Sequence, residues 1–200
     1  MVTDHISVSD FVLRHAEQCE SPLEVCKFQS MAEAWRNATP PTLLWIATRR
    51  GTLSDQEYRQ FACYCAKQIW RAMPNKECCD AVSAAEAYLS GLMTEKGLCA
   101  AYTLAKDTYK KDWPMLSKHA YYCATSGTLC SAYEHSHDAY EAAISAARAC
   151  GRLLQSKIVS GDLPDDLVLE MAQAGFDACI NRQAAWLRAN VVPNFKRDTK

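Results

Sequence analysis

The stretch "SDQEYRQFACYCAKQIWRAMP", Ser54 to Pro74, limits what this chain can fold into more than any other. Tyr58, Phe61, Ala62, Cys65, Ala66, Ile69, Trp70 and Met73 recur every three or four residues, as one face of an α-helix requires. Glu57, Arg59, Lys67 and Arg71 fall on the other side. Ser54 with Glu57 three residues later has the form of a capping box, and Pro74 forbids the helix from running on. In such a helix Cys63 and Cys65 point about 200° apart, so they cannot grip one metal ion. They also lack the C-x-x-C spacing of a redox pair.

The same period recurs along the chain. A helix is expected from Ser9 to about Glu20, and a second from Leu23 to Asn37 with Val25, Phe28, Met31, Ala32 and Trp35 on one face. A short helix after Pro40 and Pro41 stops at Gly51. Asp80 caps a helix closed by Gly91, and Thr94 caps one ending near Lys111. Another helix in "WPMLSKHAYYCATSG" ends at Gly127. The longest pattern, "SAYEHSHDAYEAAISAARACGRLL", aligns Ala139, Ala143, Ala146, Ala147, Cys150, Leu153 and Leu154 in a narrow face of mostly small residues. After the linker "SGDLPDD", a last helix runs from Pro164 to Asn190 with Val168, Met171, Ala172, Cys179, Ile180, Trp186 and Leu187 inward.

No segment alternates apolar and polar residues over strand length. The expected fold is all-α, an irregular bundle or layered array of about seven to eight antiparallel helices. A chain of 200 residues, 49% of them hydrophobic, supports one domain over 1–200. Within it, N-terminal helices cover 1–38, an alanine-rich helical region 39–160 and the C-terminal helix 161–192.

A net charge of −1 and a pI near 6.5 create no general field for nucleic acid or anionic membranes. The longest uncharged run, Ala120 to Tyr133, is too short to span a bilayer. The N-terminal "MVTDHISVSDF" has no basic or apolar leader segment, so the expected compartment is the cytosol. Eleven cysteines, an odd number in a long chain and several of them on apolar helical faces, are expected to be reduced core residues.

Three groups carry chemistry-bearing side chains. In "EHSHD", Glu134 and Asp138 share a helical face, but the two histidines diverge and no H-E-x-x-H is present, so no metal or other cofactor is expected. His119 and Cys123 could meet one helical turn apart, yet neither an acidic orienter nor a Gly-rich oxyanion loop accompanies them. Phosphate-loop, dinucleotide and nucleophile-elbow motifs are missing. No catalytic residue is therefore assigned. Asp162, Asp165, Asp166 and Glu170 crowd the start of the last helix, where the helix dipole favours negative charge. An acidic edge of this kind also complements a basic protein partner. These four, with Glu134 and Asp138, are the candidate partner-binding residues.

The order "AWRNATPPTLLWIATRRG", "YRQFACYCAKQIW", "DAVSAAEAYLSG", "EAAISAARAC" and "RQAAWLR" resembles the alanine-rich immunity proteins of bacterial polymorphic toxin systems, which have phage-encoded relatives. The resemblance spans Ala34 to Arg188. It rests on the L-W-x-x-x-x-x-G element, the "F-A-C-x-C-A" helix, the "A-x-x-x-A-E-x-Y-x-x-G" helix and the late "Q-x-x-x-L-R" element. The chain departs from the pattern at Tyr64, where a second arginine is commoner, and in its many cysteines. The resemblance implies a non-catalytic helical protein that binds and blocks another protein, a toxin or a defence effector. The alternatives are a phage-encoded inhibitor of a host defence system, an enzyme with a cryptic Cys/His site, and an oligomerisation module; self-association is left open.

Overall fold

The computed structural model describes residues 6–15, 23–129, 135–158 and 164–196. Among these residues the chain is helical, with nine α-helices and no sheet. They are α1 (Val8–His15), α2 (Met31–Asn37), α3 (Pro40–Ala47), α4 (Asp55–Gln68), α5 (Lys76–Leu89), α6 (Glu95–Lys106), α7 (Met115–Leu129), α8 (His135–Ile158) and α9 (Asp165–Asn190). The all-α layered architecture is as expected.

Helix α8 is the centre. Its alanine face packs against α7, α9 and α4, while α5 and α6 form a hairpin laid over α4 and α7, and α3 lies on α9. Ala139, Ala142, Ala143, Ala146, Ala147 and Ala149 are all fully buried, so the neighbouring helices meet α8 nearly at its backbone. Of the residues expected in the core, Phe61, Cys65, Ile69, Ala143 and Ala147 are buried, but Leu154 is only half-buried.

The start of α4 is as its sequence predicts. Ser54 accepts from the Glu57 amide at 3.3 Å and Glu57 returns a bond to the Ser54 amide at 2.8 Å. Its end differs. The α-helix stops at Gln68 and tightens into a 3-10 turn over Trp70–Ala72. That change of pitch swings Trp70 out to 37% exposure.

Arg59 was placed on the solvent face and is instead buried, its guanidinium 4.4 Å over the Tyr88 ring. Helix α5 covers this edge, burying Cys63 in a second small core with Ala84, Ala85 and Leu98, while Lys67 pairs with Glu86 at 2.6 Å at the rim. Cys63 and Cys65 thus face opposite sides, and both sides are packed.

Other boundaries also move. The helix expected over Leu23–Asn37 is broken into a 3-10 turn at Leu23–Lys27 and α2, because Ser30 caps the Glu33 amide at 3.1 Å and Glu33 bonds back to the Gln29 amide. Asn75, not Asp80, caps α5. Thr94 caps α6 as expected, but the helix ends at Lys106. Gly127 lies inside α7 rather than ending it, facing the Ala62 carbonyl of α4.

Helices α8 and α9 meet nearly backbone to backbone. A Cβ added at Gly151 would stand 2.6 Å from the Ala172 carbonyl oxygen, and one at Gly175 would stand 2.9 Å from the Cys150 carbonyl oxygen. Neither obstacle can rotate away, since both are backbone. Gly151→Ala and Gly175→Ala should each lower stability by about 1–3 kcal/mol in denaturant titrations. Gly97→Ala, whose Cβ would meet the flexible Met93 side chain at 3.0 Å and Thr94 Oγ1 at an ordinary 3.6 Å, should be neutral or stabilising. Unchanged midpoints for the first two variants would overturn the close contact.

His15 ends α1 buried against Phe11, ring centroids 4.7 Å apart. Burial, followed by the nearby charges of Arg49 and Arg14, lowers its pKa to about 4. The unfolded chain therefore takes up a proton as pH falls from about 6.5 to 4 that the native state refuses, so stability is full above this window and falls through it. The loss should reach the order of 3 kcal/mol by pH 4, read from thermal melts, and His15→Phe should flatten it.

Candidate functional site

Helices α8 and α9 run antiparallel, their crossing set by Gly151 and Gly175, and they splay toward the α9 N-terminus into a groove of about 590 Å³. His119 from α7, with Arg148 and Arg152 from α8, supplies one wall; Val168, Leu169 and Phe176 of α9 supply an apolar one, with Asp165 at the mouth. Burial and then the two arginines hold the His119 pKa below its usual value, so the imidazole is kept neutral.

Asp165, Asp166 and Glu170 are all exposed on the first turns of α9. Between them stand Leu167 at 39% and Leu169 at 72% exposure. Asp162 and Glu134 lie outside the described residues. Asp138, on the first turn of α8, is half-buried near Tyr102 of α6. Thirteen residues of helix separate it from Gly151, roughly 20 Å at 1.5 Å per residue. The structure brings three of the candidate acids together and leaves Asp138 at the other end of α8.

The His119 and Cys123 pairing fails. Cys123 is fully buried, and burial first of all pushes its thiol far above the ordinary range, whereas His119 turns to the groove. His137 is exposed, and among the described residues no group of three His, Cys, Asp or Glu side chains is placed to hold a metal. Nor are all cysteines core residues: Cys26 and Cys99 are exposed, and Cys79 and Cys150 are half-buried.

Cys150 belongs to the small-residue face of α8. It neighbours Cys179 of α9, whose thiol donates to Gln68 Oε1 of α4 at 3.5 Å. Arg182 Nη2 lies 3.7 Å from Cys150 Sγ, and Arg182 Nε donates to Gln68 Oε1 at 3.0 Å. Gln183 Nε2 lies 3.5 Å from Cys179 Sγ and donates to the Ala143 carbonyl at 3.0 Å. Tyr64, stacked on Trp186 with centroids 5.1 Å apart, donates to the Arg182 carbonyl and walls the cluster. The adjacent Cys179 thiol first, and then Arg182, hold the Cys150 pKa below the ordinary thiol range against the opposing effect of burial; the Cys179 thiol is pushed up in turn.

Sequence periodicity could not show this cluster, because Cys150 and Cys179 come from different helices and are 29 positions apart. The available signal was Gln183, a polar residue among the inward positions of α9, and it is fully buried.

No protein-family model, curated protein or solved structure matches this chain.

Cys150 should alkylate with iodoacetamide at a rate whose inflection lies at lower pH than that of an ordinary thiol, followed by peptide mapping. Arg182→Met should move that inflection upward. A rate for Cys150 that stays flat until pH 9 would overturn the assignment.

Proposed function

We propose that this protein acts by binding another protein stoichiometrically and blocking it, in the manner of a toxin-neutralising immunity protein, and not by turnover. The observation that carries the reading is the N-terminal half of α9, where exposed Leu167 and Leu169 stand among Asp165, Asp166 and Glu170 beside the groove. An apolar centre with a charged rim is the anatomy of a protein-binding surface. The acidic rim selects a partner with a basic face, such as a nuclease toxin or defence effector that handles nucleic acid. The order of motifs from Ala34 to Arg188 supports the same class.

Among the described residues no helix is long and apolar enough to cross a membrane. The proposed compartment is the reducing cytosol, where a protein with many free thiols and an intracellular target would meet that target.

The residues of the resembling motifs support the scaffold. Gln183 ties α9 to α8, and Arg188 donates to the Trp35 and Ala38 carbonyls, closing the end of α2. The binding face is therefore sought outside them, at the α9 edge.

The test is capture of the partner from the native host, followed by titration of its activity. Inhibition should saturate near one equivalent. Inhibition at far lower ratios that grows with time would make the protein an enzyme. Replacing Asp165, Asp166 and Glu170 together by Lys should slow association about tenfold at low salt and less at high salt, while the lost helix-dipole stabilisation lowers the melting temperature by only a few degrees. Unaltered association would move the interface elsewhere.

A further inference from the structure

Cys150 and Cys179 offer a chemistry that protein binding does not use. We infer that they form a peroxide-responsive thiol pair, in which Cys150 is oxidised first and Cys179 resolves it to a disulfide joining α8 and α9. The inference does not depend on the proposed partner.

The packing of α8 on α9 supports the pairing. A disulfide needs the two Cα atoms within about 4.4–6.8 Å, closer than helices ordinarily pack. Gly175 lies one turn before Cys179, Gly151 directly follows Cys150, and this glycine contact brings the two backbones together there. Cys150 is half-buried, so a small oxidant can reach it, while Cys179 is buried beside it. The Arg182 guanidinium at 3.7 Å stabilises a Cys150 thiolate. The Cys179 thiol donates to Gln68 Oε1 at 3.5 Å, and Cys150 is its neighbouring thiol. Gln68 Oε1 also accepts from Arg182 at 3.0 Å, so one side chain of α4 holds Cys179 and the Arg182 guanidinium that contacts Cys150 side by side.

The electrons balance with a hydroperoxide as oxidant. The Cys150 thiolate attacks one peroxide oxygen; the S–O bond forms, the O–O bond breaks, and the alkoxide leaves as an alcohol, or as water from hydrogen peroxide, after taking a proton. Cys150 is then a sulfenic acid. It no longer carries the negative charge that held the proton on Cys179, so that thiol ionises more readily. Cys179 sulfur attacks the sulfenic sulfur, the S–S bond forms, the S–O bond breaks, and hydroxide leaves as water. Two thiols and one hydroperoxide become one disulfide, one alcohol and one water.

This pair differs from the other thiols of the chain. Cys63 and Cys78 are pushed up to about 12 by burial, Cys123 is driven further by the same cause, and Cys26 and Cys99 are exposed.

The experiment treats the intact reduced protein at pH 7 with equimolar hydrogen peroxide and maps disulfides by non-reducing mass spectrometry. The Cys150–Cys179 bond should appear before any other among the eleven cysteines and revert with dithiothreitol. Cys179→Ser should instead accumulate a dimedone adduct on Cys150. Arg182→Met should slow the reaction about five- to tenfold, since the lower thiolate fraction is partly offset by higher intrinsic nucleophilicity. Oxidation that begins at Cys26 or Cys99, or a first disulfide with a different partner, would overturn the inference. The wild-type map decides between these outcomes even if a variant fails to fold.

Discussion

The close approach of α8 and α9 at Gly151 and Gly175 is the constraint on which the rest of the structure depends. With Cβ atoms missing at both positions, the backbones come nearer than ordinary side chains allow, and dispersion contacts between them are correspondingly dense. The alanines of α8 extend the same principle to α7 and α4. A core built this way gains less from each side chain than one built on leucine, and relies on shape; a single added methyl at the crossing has nowhere to go. The crossing also opens the groove on one side and sets Cys150 against Cys179 on the other, so both candidate sites follow from one contact.

Much of this was legible from the sequence where the signal is local. The period of Tyr58, Phe61, Cys65 and Ile69, the Ser54 and Glu57 box, and the alanines of α8 identify helices because neighbours on one face lie three or four residues apart. Legibility falls where tertiary packing decides. Arg59 looked solvated because its charge stood opposite the apolar stripe, but the α5–α6 hairpin covers that edge and the Tyr88 ring receives the guanidinium. Gly127 looked like a helix stop, and α7 continues through it because α4 packs alongside. The break before Ser30 was written in the S-x-x-E spacing, yet the longer hydrophobic period through Phe28 masked it.

The candidate sites show the same division. Asp165, Asp166 and Glu170 share a helix start, so their clustering is a matter of local spacing. The thiol pair is not, since Cys150, Cys179, Gln68 and Arg182 meet only once three helices are assembled. A single cysteine in an alanine stripe carries no mark of which helix will face it. Its acidity is created by the adjacent Cys179 thiol and by a cation from the same neighbouring helix.

The Phe195 segment has a consequence for how the molecule is made. Phe195 packs edge-on against Phe11 and Trp35, its carbonyl accepts from the Ile6 amide at 2.8 Å, and the Asn194 amide bonds to the Thr52 carbonyl at 2.8 Å. Arg188 reaches α2 in the same region. A chain emerging from the ribosome N-terminus first must hold α1, α2 and α3 with these apolar surfaces uncovered until Arg188, Asn194 and Phe195 have been made. The α4–α8 layers can consolidate before that segment is made, whereas the N-terminal helices are sealed after them.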